Sequence, residues 1–430
     1  MADHSDRLDR WANLLALNRT VAVVLATVLF FGLGEQLWES FMPAYLDARV
    51  KDVARAARLT PSVVGWQALA IIGVYACLRN LFEGFCYVGG GQLTARLGDR
   101  GSLILFALMT LAGYTIFLVS SSPLVATLAA MLILGWEPLS VPVTFTTVGS
   151  SVDRTRQGVA FALQSIQKRL PKVLGPMIAG FVIAAAQRHS GDAAAGRIVG
   201  MNYLVGAALT LGLASLVIQF LFMPHRPPPP PQTASAAAVV RGFHPMLRRL
   251  LIAEILTRWC DWLVREFIVL YVLIDRGSTD WFYGVLLVPA QHLTALATYL
   301  PIGSLTRRVG LQPFIGLTFV FFALFPLSLA WAPEGAWLLG AFVVYGLREI
   351  GEPARKALIT SLMPESTRAR GIGLYWGLRS GAISTAPLAG AAIWHFFGPT
   401  VLLHVAFALG VLGAAVFYFF CAQVQCRSDV

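Results

Sequence analysis

Long apolar runs are the feature of this sequence that most restricts how the chain can fold. Twelve of them lie near residues 20–42, 64–88, 102–121, 122–148, 159–186, 199–222, 250–274, 282–303, 312–331, 335–360, 371–395 and 399–422. A transmembrane helix needs about 20 predominantly apolar residues. The chain is therefore predicted to be an all-α integral membrane protein with 12 transmembrane helices, arranged as two six-helix bundles.

The composition supports this class and excludes others. Hydrophobic residues make up 57% of the chain and charged residues only 13%, about half the charged fraction of a typical soluble domain. A net charge of +11 on a soluble chain would favour nucleic-acid binding, but the apolar runs argue against a nucleic-acid partner. The five cysteines have no CxxC or metal-ligand spacing. No cofactor is expected, and the identity of any bound metal stays open.

The connections between the runs predict the domain organisation and the orientation. A run of prolines at 227–231 separates the two sets of six and does not continue a helix across a membrane. Sixteen Lys or Arg residues fall in the connections on the side of the termini and seven on the other side, which predicts cytoplasmic termini. The predicted parts are an N-terminal tail (1–19), a first bundle (20–222), a cytoplasmic linker (223–249), a second bundle (250–422) and a C-terminal tail (423–430).

The two halves also repeat one another. Three pairs of segments match: 91–98 with 303–310, Glu137-Pro138 with Glu352-Pro353, and Glu35–Phe41 with Asp261–Phe267. Because each half has an even number of predicted spans, the repeats are expected to run parallel, related by an axis along the membrane normal. The prediction is therefore of two pseudo-symmetric bundles.

These residues resemble those of the major facilitator superfamily of secondary transporters, over the whole chain. The resemblance rests on twelve spans, a long central linker and a glycine–arginine loop after the second span in each half. The loop residues that match, and that the resemblance implies are gating residues, are Gly91, Arg96, Gly98 and Arg100 in the first half and Gly303, Arg308 and Gly310 in the second. Ala95 and Arg307 stand where the family has an aspartate that helps to latch the halves together.

Three further stretches, beginning at Gly32, Gln164 and Gly346, are similar to a bacterial subgroup whose substrates are mostly unassigned. Magnetosome-membrane transporters implicated in iron uptake look similar to this subgroup. The resemblance implies alternating access, a central cavity lined by spans one, four, seven and ten, and a location in the bacterial cytoplasmic membrane or a membrane derived from it.

Charged residues inside the spans carry most of the functional information, because a charge at the bilayer centre costs about 2.5–3.5 kcal/mol and needs a partner or a watery cavity. There are nineteen: Glu35, Glu39, Glu83, Glu137, Glu254, Asp261, Glu266, Glu349, Glu352, Arg79, Lys168, Arg169, Lys172, Arg258, Arg265, Arg348, Arg355, Lys356 and Arg379. Helical spacing of three or four places several on one face of the same helix. Arg79 with Glu83, Arg348 with Glu352, and Glu254 with Arg258 are interpreted as intramembrane pairs, the last as part of a ladder along span seven.

Each span that the resemblance places around the cavity carries at least one acid. The candidates for binding a substrate or a coupling ion are Glu35, Glu39, Glu137, Asp261, Arg265, Glu349 and Glu352. Carboxylates shielded from water can load and release protons, or bind a hard divalent cation. Lys168 and Arg379 occupy equivalent places in the two halves and suit an anionic substrate, although they also serve as counter-ions.

The sequence therefore favours a secondary active transporter that moves a small solute or ion, with protons as the coupling ion and ferrous iron as one candidate substrate. An organic anion and a drug-like solute are the alternative substrates. A transporter-derived receptor or assembly protein without flux is the alternative function. No nucleophile–base pair or nucleotide loop is present in the sequence, so an enzyme is not expected. The lipid bilayer is the one certain partner.

Overall fold

The computed structural model describes residues 19–56, 61–141, 144, 157–224, 235–363 and 368–420. Nearly all of them are helical and none is in a strand, so the all-α prediction is confirmed. The principal helices are α1 (Arg19–Gln36), α2 (Met42–Ala56), α3 (Pro61–Val119), α4 (Pro123–Leu134), α5 (Gln157–Ser190), α6 (Ala193–Phe222), α7 (Ala236–Arg241), α8 (Pro245–Val264), α9 (Val288–Val309), α10 (Gln312–Trp331), α11 (Ala336–Leu347), α12 (Glu352–Ser361), α13 (Arg368–Ile383), α14 (Ala386–Phe397) and α15 (Pro399–Phe420).

Seven helical segments among the described residues are long and apolar enough to cross a membrane. The longest of them spans 55 residues within α3, about 80 Å at 1.5 Å per residue and far more than one bilayer. Gly98 interrupts α3 with φ 70° and ψ 173°, a conformation that favours glycine. α3 therefore consists of two helices joined at Gly98, while the total of twelve spans remains a prediction.

Small residues allow close packing within and between the halves. A Cβ built on Gly73 of α3 would lie 3.1 Å from the Ala391 side chain of α14. A Cβ on Gly84 would lie 3.2 Å from the Gly377 carbonyl of α13. Because both helix pairs join the first half of the chain to the second, a larger side chain at Gly73 or Gly84 would push the halves apart.

All four helices that the family resemblance places around the cavity are interrupted beside their charged residues. The first span breaks between α1 and α2, with a 3-10 turn at Glu39–Phe41. The seventh ends as α8 and continues through a 3-10 turn at Arg265–Phe267. The fourth has a turn at Gly135 after α4, and the tenth a turn at 348–351 between α11 and α12. Interrupted helices inside membrane proteins leave backbone groups free to line a cavity.

The two 3-10 turns occupy equivalent positions. When Glu35–Phe41 is aligned with Asp261–Phe267, the turn at Glu39–Phe41 corresponds residue by residue to the turn at Arg265–Phe267. Neither turn contains a glycine or proline, but Pro43 follows the first turn, and its nitrogen cannot donate the helical hydrogen bond to the Glu39 carbonyl. The matching turns support the parallel repeat that the sequence predicts.

Several predicted features lie outside the described residues. They are most of the N-terminal tail, the proline run at 227–231, the side chain of Arg307 and the C-terminal tail. Between the halves the described part of the linker contains α7, which Ser235 caps through a hydrogen bond from the Ala238 backbone N–H. Helix α8 then begins at Pro245, five residues before the predicted start, because His244 caps it and proline is favourable in a first turn.

Candidate functional site

A polar cavity of about 320 Å³ lies between the two halves. Its charged lining is Glu35, Glu39, Glu83, Glu137, Glu266, Glu349, Glu352, Arg79, Arg169, Lys172, Arg258, Arg265, Arg348, Lys356 and Arg379. Eight bases thus face seven carboxylates. A cavity so rich in charge binds a polar or charged solute in preference to an apolar one.

Arg79 of α3 links the halves at this cavity. Its guanidinium bonds Glu39 of the first half and lies 3.3 Å from the carboxylate of Glu266, in the second half. It also lies over the Trp262 ring, 5.7 Å from the centroid. The predicted partner of Arg79 was Glu83 on the same helix, and the structure instead joins Arg79 to two other helices.

Asp261 of α8 is almost completely buried and pairs with Arg348. Their side chains are 1% and 4% exposed, and Tyr345 donates a further hydrogen bond to Asp261 at 3.3 Å. Arg348 also stacks on the Tyr345 ring, 3.8 Å from its centroid. Arg265 contacts the other Asp261 oxygen at 3.7 Å. Asp261 is therefore one partner of a buried ion pair.

A second buried group lies at the linker end of α8. Glu254 bonds Arg355 and lies 3.7 Å from Arg379, while Arg258 lies 3.6 Å from Glu352. The spacing along span seven predicted a ladder in which Glu254 pairs with Arg258. Among the described residues that pair does not form: the partners of Glu254 and Arg258 lie on α12 and α13, whose charged side chains face α8 at this level.

Two basic residues of α5, Lys168 and Arg169, also have acidic neighbours. Lys168 lies 3.7 Å from Glu137, and Arg169 lies 3.2 Å from Glu349 across the two halves. Lys168 and Arg379, which the sequence treats as an equivalent pair, therefore serve separate carboxylates in separate halves. Lys168 acts here as a counter-ion to Glu137.

Two cavity carboxylates have no basic side chain within 4 Å among the described residues. They are Glu35, which is 8% exposed, and Glu83. Comparison of the two repeats explains why Glu35 has no basic partner. Glu35 is equivalent to Asp261, but Gly135, which caps the end of α4 as Arg348 caps the end of α11, carries no charge. The second half neutralises its buried carboxylate with arginine, and the first half does not.

The glycine–arginine loops show the backbone conformation that their sequence requires. Gly98 and Gly310 have φ of 70° and 88°, the left-handed region that favours glycine. Arg100 donates a hydrogen bond of 2.7 Å to the Phe220 carbonyl, at the end of α6. The other predicted loop residues are Gly91, Arg96, Gly303 and Arg308; they lie on α3 or α9, where Arg96 and Arg308 are exposed.

The end of the molecule opposite the linker is closed by contacts that the sequence did not identify. Asp280 of the second half accepts two hydrogen bonds from Arg197, at 2.7 and 3.0 Å, and one from Gln187 at 2.8 Å. We refer to Arg197, Gln187 and Asp280 as the bundle latch. Phe41 also packs edge-on against Tyr283 across the halves, with centroids 5.5 Å apart.

Removing the charge of the bundle latch should lower stability measurably. Asp280→Asn loses two charge-assisted hydrogen bonds in a buried setting, so we expect a loss of about 1.5–3 kcal/mol in thermal or denaturant unfolding. Asp192→Asn is the matched control. It removes only the exposed contact with Arg55 (3.5 Å), which water and salt screen, and asparagine still caps α6. Equal losses in the two variants would show that Asp280 does not latch the halves.

Sequence reasoning missed three groups of residues at this site. Glu266, Arg169 and Lys172 appeared only among the nineteen intramembrane charges, although all three line the cavity. Arg197 and Asp280 read as ordinary residues of the connections. Gln291 and His292 of α9 also line the cavity. The one usable signal was the presence of Glu266 beside Arg265 in the segment that repeats Glu35–Phe41.

The described residues contain no group of three or more His, Cys, Asp or Glu side chains placed to hold a metal ion. Most cavity carboxylates are instead directed at arginine or lysine, as described above. Cys77, Cys86 and Cys260 are free thiols and none of them lines the cavity. The donor set therefore suits organic charges better than a metal.

Comparison with known proteins agrees with the fold. The sequence profile of the Major Facilitator Superfamily matches residues 14–347. Comparison with curated protein sequences gives no significant match.

Three solved structures illustrate the similarity of the fold. A human organic anion transporter, MFSD10 (TETRAN), is 17% identical with a TM-score of 0.65, over 93% of this chain and 98% of that one. An auto-inhibited POT family peptide transporter is 14% identical with a TM-score of 0.74, over 94% and 97%. The nucleoside transporter NupG is 11% identical with a TM-score of 0.70, over 93% and 100%. At these identities the likeness is one of fold.

Proposed function

This chain belongs to the major facilitator superfamily, and we propose that it is a proton-coupled secondary transporter in which Glu35 carries the coupled proton. The solute moves by alternating access, so the central cavity opens first to one side of the membrane and then to the other. The proposed location is the bacterial cytoplasmic membrane, or a membrane derived from it, with both termini in the cytoplasm.

The observation that carries this proposal is the unpaired state of Glu35. Its carboxylate is buried at the cavity wall and has no basic side chain within 4 Å among the described residues. Burial penalises the charged form of a carboxyl group, and an adjacent base would remove that penalty. Glu35 lacks such a base and can exchange a proton when the cavity opens to water.

The other candidate carboxylates are proposed to be held in ion pairs, and one of them, Glu349, joins the two halves. Glu39, Glu137, Asp261, Glu349 and Glu352 each contact at least one arginine or lysine. Two contacts join the halves through the cavity, Arg79 with Glu266 and Arg169 with Glu349. In alternating access the bundles rock about the central site, so these cross-half pairs are the ones that must lengthen or exchange partners.

The substrate is proposed to be a small charged organic solute. The alternative of ferrous iron is less well supported. Most cavity carboxylates already contact arginine or lysine side chains of the protein, and the described residues form no group of three metal ligands. A receptor without flux is the second candidate function, since Ala95 and Arg307 replace the usual motif aspartates. Buried proton-exchanging and cross-half groups have no role in a static receptor.

Proteoliposomes that enclose a pH-sensitive dye test the proposal with a panel of chemically distinct probes. The probes are small carboxylates, sulfonates, amines, amides and ferrous iron, each added from outside. We expect at least one organic class to change the luminal pH: acidification indicates symport and alkalinisation indicates exchange. If every probe gives the protein-free response while the folded protein still binds one of them, the chain is a receptor and the proposal is wrong.

A further inference from the structure

Building on the proposed function, we infer that the substrate carries an anionic group, which Arg265 and Lys172 bind, and that protonation of Glu35 adds to the positive charge that attracts it. The site is the part of the cavity around Glu39. The substrate class is a small organic anion, either a carboxylate or a sulfonate.

Arg265 is a base with unused hydrogen-bonding capacity that points into the cavity. Its side chain is 31% exposed, and it makes no hydrogen bond with another described residue. Its one acidic contact, with Asp261, is 3.7 Å long, and Asp261 is already neutralised by Arg348. The Arg265 guanidinium lies over the Trp262 ring, with its Cζ 4.7 Å from the ring centroid, and this contact orients the guanidinium. A planar guanidinium held in this way suits bidentate binding of a carboxylate or sulfonate.

Lys172 is the second base available for a ligand. It lies on α5 in the first half, lines the same cavity, and has no acidic side chain within 4 Å among the described residues. Lys172 and Arg265 line the same cavity as Glu39 although the two bases belong to different halves. An anion bound to both would therefore bridge the halves.

The charge balance of the cavity depends on Glu35. The charged lining of the whole cavity comprises eight bases and seven carboxylates. With every group ionised, this lining carries one net positive charge. Protonation of Glu35 raises the net charge to two and so strengthens the attraction for an anion. Proton and anion therefore favour each other's binding, and this reciprocity is the basis of symport.

Groups on every neighbouring helix act on Glu35 as well. The charged and titratable groups around it are Glu39 on its own span, Arg79, Glu83, Tyr87 and Tyr114 on α3, Glu137 after α4, and Lys168 and Lys172 on α5. Glu39 is bonded to Arg79 and Glu137 lies beside Lys168. The two charged groups near Glu35 without such a partner are Glu83 and Lys172. Only Lys172 is a base, so it is the positive charge that becomes available to an anion when Glu35 is protonated.

A cationic substrate is the competing possibility. It would bind Glu35 directly and exchange with the proton, so it would bind less well as the pH falls. The paired state of Glu39, Glu137, Glu349 and Glu352 leaves few carboxylates for a cation, whereas Arg265 presents free donors. The observations therefore favour the anion.

The test is ligand-induced thermal stabilisation of the purified protein in detergent. The probes are matched sets on the same small scaffolds: benzoate with benzamide and benzylamine, and benzenesulfonate with benzenesulfonamide. We expect the anions to raise the Tm more than the amides and amines. Benzenesulfonate keeps its charge at every pH used, so an affinity that rises at least about fivefold on acidification reports the protein alone.

Variants assign the result to residues. Arg265→Gln and Lys172→Gln should each abolish the preference for anions, whereas Arg55→Gln, which removes an exposed charge at the outer end, should leave it intact. In Glu35→Gln the anions should still bind, but equally well at all pH values. Circular dichroism and gel filtration of every variant identify any that does not fold. If Arg265→Gln does not fold, Arg265→Lys replaces it; this variant keeps the charge but loses the bidentate geometry, so it should weaken the preference for anions without abolishing it.

The outcomes separate the inference from the proposed function. Anion binding that does not depend on pH in the unmodified protein would overturn the coupling role of Glu35 but retain the anion site. Stronger binding of amines or amides, or no binding of any probe, would overturn the anion site and leave proton coupling to be judged by the liposome experiment. An anion preference that survives Arg265→Gln would show that another base binds the substrate.

Discussion

Asp261→Asn should prevent the protein from folding stably. The substitution removes the closest counter-charge of the buried Arg348 guanidinium and leaves only its longer contact with Glu349, at 3.8 Å. Breaking a buried ion pair by removing one partner costs about 3–5 kcal/mol, a large fraction of the total stability of a typical domain. We expect loss of the monodisperse species in gel filtration and a large decrease in Tm in detergent.

The double variant Asp261→Leu with Arg348→Met is the matched control. It removes both charges together and fills the space with apolar side chains, an exchange that is often neutral or stabilising for a buried pair. We therefore expect it to recover most of the lost stability. If Asp261→Asn unfolds no more readily than the double variant, the buried pair does not stabilise the second half.

Glu35→Gln should uncouple transport from protons while leaving the fold intact. Glutamine has nearly the same shape as glutamate, and Glu35 has no ion pair to lose among the described residues, so little stability depends on its charge. The variant cannot exchange a proton at this position. We expect the luminal pH response of proteoliposomes to fall to the protein-free level, whereas counterflow of the same probe between two equal pools continues.

Leu134→Arg tests the same idea from the opposite direction. Leu134 and Glu35 line the same part of the cavity, so an arginine there should supply the partner that Glu35 lacks and fix it as a carboxylate. We expect loss of proton coupling although Glu35 itself is unchanged. Leu134 is only 8% exposed, so Leu134→Met controls for altered packing. Proton coupling that persists in a folded Leu134→Arg protein would contradict the role assigned to the unpaired state.

Much of the fold followed from patterns along the chain. The apolar runs and the composition predicted an all-α membrane protein, and the loop residues around Gly98 and Gly310 identified the superfamily. The repeat also predicted that Glu35 and Asp261 occupy equivalent places. These features are encoded locally, in the length of a run or in the identity of a glycine with positive φ, so they can be recognised without knowing which helices meet.

The pairing of charges could not be predicted in the same way. Spacing of three or four shows that two side chains share a helix face, and it made Glu254 and Arg258 look like partners. It does not show which neighbouring helix faces them, and Arg355 in fact bonds Glu254. The bundle latch was missed for a similar reason, since Asp280 and Arg197 are 83 positions apart. Those contacts exist because the ends of the two halves meet in space.

Infrared difference spectroscopy of the purified protein during a pH titration tests the central claim most directly, because it detects protonation of carboxyl groups without a substrate. On acidification the unmodified protein should gain the carbonyl stretch of a protonated, desolvated carboxyl group. Glu35→Gln should lack that band, and Glu334→Gln, which changes an exposed carboxylate, should keep it. A band of equal size in Glu35→Gln, or no such band in the unmodified protein, would contradict the account of Glu35 as the residue that carries the coupled proton.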